Sequence, residues 1–174
     1  NICLHIPVDT QVAYLDEFYL GLTDQARESH CAVCGGDTVR AREFAISISL
    51  VGYCETEPLL RSGAQPGDDL WVSGAIGCSG AGLKILLAGQ VGDERCIAAH
   101  RRPVPRLALG RRLCGLATAC VDISDGLIQD VGHLCRFNQL VAILDESAVP
   151  VPDSVRRVLG FKKAMLAGED YELA

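Results

Sequence analysis

Several apolar segments of this chain end in glycine-rich turns, and a helical pattern follows most of these turns. Gly35 and Gly36 follow one segment, Gly74 to Gly82 another, and Gly126 a third. Glycine permits backbone conformations that other residues avoid, and it leaves room for a ligand close to the main chain. Strands that alternate with helices in this way predict an α/β or α+β fold with ligands at the strand ends. Periodicity does not choose between these two classes.

The individual elements are predicted from periodicity and capping residues. Asp9 or Thr10 can cap a helix that runs to about Glu28. Phe44 to Val51 alternates between two sides and predicts a strand. We expect further strands at 31–34, 70–73, 117–124 and 141–144, and further helices at 81–88, at 105–115, after 126 and at 153–159.

The net charge of the 174 residues is −6 at pH 7, and the sequence pI is about 5.1. Nucleic acids and anionic membranes attract proteins through basic surfaces, so we expect no nucleic acid and no membrane as a partner. The apolar stretches are too short to cross a bilayer, and residues 1–11 lack the basic and long apolar regions of a secretory signal. We therefore predict a cytoplasmic protein, in which an anionic substrate is bound by local cations or metal ions.

Nine cysteines are present, and their odd number and irregular spacing argue against a secreted disulfide scaffold. We expect most of them to be small buried side chains. Cys31 and Cys34 form a C-x-x-C pair inside an apolar run, without a second pair at zinc-like spacing. A structural role for this pair is therefore favoured over redox or zinc chemistry.

Residues 121–127, with the sequence VDISDGL, combine an apolar strand pattern with two carboxylates and a hydroxyl. The helix that follows begins with backbone N–H groups that suit an anion. Asp122 and Asp125 would repel each other unless a cation lies between them, and oxygen ligands favour Mg²⁺. The alternative is a structural helix start in which Asp125 is the N-cap residue. Spacing leaves both interpretations open.

Two other segments carry groups suited to phosphate or metal. The sequence GGDTVR at 35–40 follows a predicted strand, and Asp37 could supply a further metal carboxylate beside permissive glycines. The alternative there is an ordinary turn that ends a strand. Arg61 lies in the loop segment RSGA, and a guanidinium is a good phosphate partner. The alternative for Arg61 is a solvated loop arginine.

No residue pattern indicates acid–base or nucleophilic catalysis. The four histidines are far apart in the sequence, and no serine or cysteine stands in a recognisable nucleophile motif. Neither a Walker A sequence nor a G-x-G-x-x-G fingerprint is present. We therefore name no catalytic side chain.

Five segments occur in the order that is found in thiamine-monophosphate kinases, and the chain resembles that family over nearly its whole length. These segments are GGDTVR (35–40), RSGAQPGDDLWVSG (61–74), RPVPRLALGRRL (102–113), DISDGLIQDVGHL (122–134) and GEDYEL (168–173). DISDGL together with GEDYEL and RSGA-x-PGD is specific, whereas each string alone is weak. The chain departs from the usual family residues at Val39, Ala41 and Cys78.

The resemblance implies a two-domain kinase fold of the aminoimidazole-ribonucleotide synthetase-like superfamily, of class α/β (α+β), whose N-terminal α/β domain pairs in a homodimer. A stretch rich in Gly, Pro and acidic residues sets the domain boundary near Glu57. Residues 1–57 would be the C-terminal part of the N-terminal, ATP- and Mg-binding domain. Residues 58–174 would be most of the C-terminal α+β domain. By the same resemblance, the fold is expected to be incomplete at both ends.

The resemblance also implies an activity, the ATP- and Mg²⁺-dependent phosphorylation of thiamine phosphate to thiamine diphosphate by direct in-line transfer. The phosphate of this substrate is already largely ionised at pH 7, which agrees with the lack of a catalytic base. Because family segments with further metal ligands have no counterpart here, the chain alone is expected to be inactive. The implied roles are ATP binding by Gly36, Asp37, Arg61 and Ser124, metal binding by Asp37, Asp122 and Asp125, and substrate binding by Glu169.

Two alternatives to this activity remain at the level of the sequence. Another member of the superfamily, of the cyclo-ligase, selenophosphate synthetase or hydrogenase-maturation type, would share the ATP-binding segments. A non-enzymatic remnant that binds nucleotide or dimerises is the other alternative.

Overall fold

The computed structural model describes residues 1–54 and 56–174, and the chain divides into two compact units. Unit 1 is Asn1–Glu55 and unit 2 is Thr56–Ala174. The assignment of these parts to the end of one domain and most of another stays a prediction. Among the described residues, no helix is both long and apolar enough to span a membrane.

Unit 1 combines a three-stranded sheet with one helix. β1 (Ile2–Ile6) is the central strand, with β2 (Gly36–Arg40) parallel to it on one side and β3 (Ala45–Ile48) antiparallel on the other. α1 (Val12–Glu28) lies between β1 and β2 in the chain. Parallel neighbours need such a crossover, because a tight turn can join only antiparallel strands.

The predicted helix of unit 1 is confirmed, but neither Asp9 nor Thr10 caps it. Its N-cap residue is Gln11, whose side chain makes no capping hydrogen bond. Tyr14 in the first turn instead contacts the ring of Phe44 edge to face, with ring centroids 5.3 Å apart. An aromatic contact of this geometry therefore joins the start of α1 to the residue before β3.

The strands of unit 1 differ from those predicted. The predicted strand 44–51 is shorter, since only β3 is formed there, and every residue of β3 is exposed. Residues 31–34, which include the C-x-x-C pair, form no strand and are exposed. β1, in which Ile2 and Leu4 are buried, was not predicted. The alternating apolar residues of β3 therefore indicate a strand, but they do not identify β1 as the central strand of the sheet.

Unit 2 combines short helices with a two-stranded sheet. β4 (Asp122–Ile123) and β5 (Glu172–Leu173) pair antiparallel. This mixture of helices and strands confirms the predicted α/β (α+β) class. The helices are α2 (Cys78–Leu87), α3 (Glu94–Arg101), α4 (Leu107–Leu113), α5 (Leu127–Asn138), α6 (Asp153–Leu159) and α7 (Phe161–Leu166).

The hydrophobic core of unit 2 joins β4 to α2, α3, α5, α6 and α7. Ile123 of β4 and Val155 of α6 are 0% exposed, and Leu127 of α5 is 1% exposed. Burial of side chains of this size stabilises the fold by about 1.5–3 kcal/mol each. Because Ile123 and Leu127 lie on either side of the turn between β4 and α5, the core holds both ends of that turn.

Several predicted helices of unit 2 are confirmed, whereas two predicted strands are wrong. α5 and α6 have the predicted positions, α2 and α4 overlap the predicted ranges, and α3 and α7 were not predicted. The predicted strand 117–124 is reduced to β4, and residues 70–73 and 141–144 form no strand. Val141 and Ile143 are 88% and 94% exposed. An apolar run becomes a strand only where another strand pairs with its backbone groups.

All nine cysteines are free, with one buried, five partly buried and three exposed. The expectation that most of them are buried is therefore wrong. Burial is the main cause that raises the pKa of the half-buried Cys78 to about 12, so this thiol is protonated at neutral pH.

Candidate active site

One buried carboxylate organises the turn between β4 and α5. Asp130, in the first turn of α5, is 3% exposed. Its Oδ2 accepts hydrogen bonds from the backbone N–H groups of Ser124, Asp125 and Gly126, at 3.0, 2.9 and 3.1 Å. A negative charge near a helix N-terminus is also favoured by the helix dipole. Asp130 therefore fixes the main chain of the whole turn.

Asp125 is not the structural cap of α5. The N-cap residue is Gly126, whose φ of 116° favours glycine, and it makes no side-chain cap bond. The side chain of Asp125 is exposed, and its Oδ2 accepts a hydrogen bond from Nε2 of Gln129 at 3.1 Å. The structural interpretation of Asp125 is wrong, because Asp130 satisfies the N–H groups that a capping side chain would bind.

The GEDYEL segment lies against this turn, backbone to backbone. The N–H groups of Glu169 and Tyr171 donate to the carbonyl oxygens of Ser124 and Ile123, each at 2.8 Å. A Cβ atom at Gly168 would overlap the carbonyl oxygen of Ser124, so only glycine fits there. Two segments that are far apart in the sequence thus form one continuous surface.

Glu169 and Tyr171 both adopt left-handed backbone conformations, with φ of 66° and 52°. Such a conformation costs a non-glycine residue roughly 1–3 kcal/mol, and it is often found at ligand-binding segments. The hydroxyl of Tyr171 donates to Oε2 of Glu169 at 2.6 Å, and both residues are exposed. The bond to the Glu169 carboxylate raises the pKa of Tyr171, so the phenol stays protonated at neutral pH.

Asp170, between these two residues, anchors the loop to the start of α2. Its carboxylate accepts hydrogen bonds from the N–H groups of Gly77 at 2.5 Å and Ser79 at 3.0 Å. Burial raises the pKa of this carboxyl, although the N–H groups oppose that shift. The central acidic residue of GEDYEL therefore has a structural role, while its neighbour Glu169 stays exposed.

The raised pKa of Asp170 predicts a pH dependence of stability. Folding favours the protonated carboxyl of Asp170. Its contribution to the free energy of unfolding is therefore fully present below about pH 4 and is lost as the pH rises through the folded-state pKa. Asp170→Asn cannot titrate, so its deficit in unfolding free energy relative to the wild type is expected to shrink between about pH 4 and about pH 7. Urea unfolding across this range measures the deficit, and a deficit that grows would contradict the assignment. Asp145→Asn is the control of opposite sign, because hydrogen bonds from Ser147 lower the pKa of Asp145.

Glu172, the last acidic residue of GEDYEL, is also structural. Its buried carboxylate accepts hydrogen bonds from Nη2 of Arg106, from Nε of Arg106 at 2.7 Å and from the hydroxyl of Ser73. A Cβ atom at Gly74 would overlap this carboxylate. The pair with Glu172 raises the pKa of the Arg106 guanidinium. Bidentate pairs are strong and directional, so this one holds the start of α4 to β5.

Arg61 lies beside Asp122, the first residue of β4. Nη2 of Arg61 is 3.6 Å from Oδ1 of Asp122, and the two side chains are 51% and 49% exposed. An exposed pair of this kind contributes about 0–1 kcal/mol, so a ligand can displace it. The structure thus brings together two predicted site residues, a cation suited to phosphate and a carboxylate suited to metal.

Gly36 and Asp37 lie in unit 1, within β2 itself. A Cβ atom at Gly36 would overlap the carbonyl oxygen of Ile2 on the neighbouring β1, so strand packing alone requires glycine at this position. Asp37 is exposed, and its Oδ1 accepts the N–H of Thr38 at 2.8 Å. The prediction that these residues follow a buried strand is wrong, whereas their ligand roles stay predictions.

The acidic groups near β4 suit a hard divalent cation. Among the described residues, the carboxylates of Asp122 and Asp125 accept no backbone N–H. Their partners are the exposed side chains of Arg61 and Gln129, which a cation can displace. Atoms of Asp125, Asp130 and His133 also lie within 4.8 Å of one another. Asp130 already accepts three N–H groups, however, and Mg²⁺ prefers oxygen to ring nitrogen. We therefore retain Asp122 and Asp125 as the candidate ligands of Mg²⁺.

In this fold of mixed helices and strands, the DISDG turn and the GEDYEL loop lie against each other. The chain belongs to the AIR synthase related family, whose C-terminal domain matches residues 65–172. Within this class it is similar to the thiamine-monophosphate kinases of Escherichia coli K12 and Aquifex aeolicus VF5, at 36% and 35% identity over 99% of the chain. The chain spans 56% and 59% of the length of these two relatives.

Solved structures agree with this result. AaThiL in complex with AMPPCP and TMP matches with a TM-score of 0.85 at 30% identity, over 99% of this chain and 59% of that one. The hydrogenase maturation protein HypE of E. coli matches with a TM-score of 0.77 at 19% identity, over 99% of this chain and 56% of that one. Identity as low as that shows the fold alone. The family resemblance expected from the sequence is confirmed.

The residues that hold the site in place were not predicted from the sequence. Asp130 had a usable signal, since it is an acidic residue beside Val131 on the inward side of an amphipathic helix. Arg106 and Asn138 had no local signal, because their partners Glu172 and Arg61 lie 66 and 77 positions away. Contacts at such separations depend on the complete fold.

Proposed function

We propose that the protein carrying this chain transfers the terminal phosphoryl group of ATP to thiamine phosphate and so makes thiamine diphosphate. The observation that carries the proposal is the pair of turns at 122–126 and 168–171. Hydrogen bonds to Asp130 and between the two turns hold their main chain, while Asp122, Asp125 and Glu169 stay exposed. Further support comes from the similar AaThiL complex, which holds AMPPCP and TMP. AMPPCP has the triphosphate-like chain of ATP, so ATP is the proposed co-substrate.

Arg61 and Ser124 are the proposed ATP contacts of unit 2. The planar guanidinium of Arg61 matches phosphate oxygens. The N–H and C=O of Ser124 are occupied by Asp130 and Glu169, so the hydroxyl is the group that can contact a phosphate. Gly36 and Asp37 of unit 1 are proposed as further ATP contacts on the basis of the resemblance.

Asp122 and Asp125 are the proposed Mg²⁺ ligands of unit 2, and Asp37 is a further one in unit 1. Bound Mg²⁺ would supply charge neutralisation between the two phosphate-bearing substrates. Before ligands bind, Arg61 neutralises part of the charge of Asp122. Because that ion pair is exposed and weak, its opening frees a guanidinium for phosphate and a carboxylate for the cation.

Glu169 is proposed to bind thiamine phosphate. Thiamine contains a thiazolium ring with a permanent positive charge, which an exposed carboxylate attracts. The hydroxyl of Tyr171 bonds to Oε2 of Glu169, which orients the carboxylate and leaves Oε1 for the ligand. The strained backbone of the loop agrees with a binding role at this position.

The proposed chemistry needs no side chain as a general base. The second pKa of a phosphate monoester is about 6, so the attacking oxygen of thiamine phosphate is largely ionised at pH 7. The residues of this chain therefore bind two anions and orient them in line. Rate acceleration then comes from position and charge rather than from proton transfer.

A homodimer of the intact protein is proposed from the resemblance alone. Analytical ultracentrifugation of the protein made from the whole reading frame that encodes residues 1–174 would measure its oligomeric state. A monomer at micromolar concentration would contradict this part of the proposal.

The activity is tested with the protein made from that whole reading frame. Incubation with ATP, Mg²⁺ and thiamine phosphate is expected to give thiamine diphosphate and ADP in equal amounts. Thiamine is the matched control, because it lacks the ionised phosphate and should give no thiamine diphosphate. The proposal fails if ATP is consumed without thiamine diphosphate, or if no product forms while the protein is folded and binds ATP.

A further inference from the structure

Asn138, the last residue of α5, makes three hydrogen bonds through its side-chain amide. Nδ2 donates to the carbonyl oxygens of Arg61 at 2.9 Å and of Leu134 at 2.8 Å, and Oδ1 accepts the N–H of Gly63 at 2.7 Å. The bonds to Arg61 and Gly63 hold the main chain on both sides of Ser62. One amide therefore joins the end of α5 to the loop that carries Arg61.

Residues 118–120, which precede β4, contact the same loop at Leu60 and at Gly63. The N–H of Cys120 donates to the carbonyl oxygen of Leu60 at 2.9 Å. Gly63 has a φ of 127°, and a Cβ atom there would overlap the carbonyl oxygen of Thr118. The main chain of Arg61 therefore lies between Leu60, which is hydrogen-bonded to this segment, and Gly63, which packs against it.

Among the described residues, Asp122 is the charged partner of the Arg61 side chain. Its guanidinium is half-exposed, and the distance of 3.6 Å to Asp122 is that of a weak ion pair. A long flexible side chain with only such a partner takes its direction mainly from the backbone to which it is attached. Whatever holds that backbone therefore decides where the guanidinium can lie.

We propose that Asn138 is a positioning residue, which keeps the guanidinium of Arg61 beside Asp122 by fixing the main chain of residues 61–63. The proposal rests on the proposed function in one respect, namely that Arg61 binds the phosphates of ATP. The position requires an amide, because a donor and an acceptor are used at the same time. An aspartate would keep the acceptor for Gly63 but would bring a second oxygen against the carbonyl of Arg61.

Amide hydrogen exchange of the protein made from the whole reading frame, measured without nucleotide, tests the contact itself. Asn138→Ala is expected to speed exchange of the Gly63 amide at least about ten-fold, and Asn138→Asp to have a smaller effect. Asp145→Ala is the matched control, because it removes two hydrogen bonds from a turn that holds no candidate site residue. It should leave exchange at Gly63 unchanged. Unchanged exchange in Asn138→Ala overturns the proposal.

A double-mutant cycle tests the positioning role in the protein made from the whole reading frame. Calorimetry measures MgATP affinity for wild type, Asn138→Ala, Arg61→Ala and the double variant. We expect Asn138→Ala to weaken binding about ten-fold in the wild type but to have no further effect once Arg61 is absent. A merely structural role would lower the melting temperature without this dependence on Arg61. Equal weakening in both backgrounds, or none in either, overturns the proposal.

Product analysis separates this proposal from the proposed function. If the cycle is non-additive and no thiamine diphosphate forms, the assigned reaction fails while the role of Asn138 stands. If thiamine diphosphate forms and the cycle is additive, the reaction stands and the role of Asn138 fails. A folded wild type that binds no MgATP overturns both.

Discussion

Asp122→Asn and Asp125→Asn are each expected to lower kcat at least about 100-fold, with less than about 1 kcal/mol of change in the free energy of unfolding. Both carboxylates are exposed, and among the described residues neither accepts a backbone N–H. The substitution keeps the shape of the side chain but removes the charge that a Mg²⁺ ligand needs. Steady-state kinetics at increasing Mg²⁺, together with thermal unfolding, separates the two effects.

Two control variants sharpen this experiment. Glu146→Gln removes an exposed carboxylate from outside the candidate site and should leave kcat unchanged. Asp130→Asn removes a charge that three backbone N–H groups share, so it should lower stability as well as activity. Full activity of Asp122→Asn or Asp125→Asn would show that the altered aspartate is not a metal ligand in the proposed reaction.

Arg106→Met is expected to lower the free energy of unfolding by about 3 kcal/mol. The change leaves the carboxylate of Glu172, whose side chain is 7% exposed, without its bidentate partner. The expected loss is at the low end of the range for breaking a buried pair, because Arg106 is 36% exposed and Ser73 still donates to the carboxylate. Urea unfolding of wild type and variant measures the loss.

The double variant Arg106→Met with Glu172→Met tests the physical reason. If the loss comes from an unpaired buried charge, removal of both partners should restore much of the stability. If the double variant is as unstable as Arg106→Met, the loss comes from packing. An unchanged unfolding midpoint in Arg106→Met would show that the pair contributes nothing to stability.

The sequence predicted the amphipathic helices better than the strands. The apolar period of α5 and the bounds of α6 were predicted from local sequence patterns. Such patterns are reliable for helices because a helix forms its backbone hydrogen bonds within its own segment. Residues 141–144 are as apolar as a strand of the core, yet they form none. A strand depends on a partner, and the partners of β1 are separated from it by all of α1.

The candidate site was predictable where chemistry alone identifies a residue. Asp125, Arg61 and Glu169 carry charges in loops, and Asp122 carries one at the start of the short strand β4, which is a signal that the sequence contains. The sequence could not divide the acidic residues of GEDYEL into one that stays exposed and two that are anchored, Asp170 and Glu172. That division depends on N–H groups at α2 and on a guanidinium at α4.

The close contact between the two turns has a consequence for protein engineering. A Cβ atom at Gly168 would meet Ser124, and a Cβ atom at Gly126 would meet the main chain of Leu166, so neither glycine has room for a side chain. A directed-evolution library that introduced side chains at Gly126 or Gly168 would produce clashes unless the facing segment varied with it. To transplant this site into another scaffold, both turns would have to be grafted as a single piece, together with Asp130.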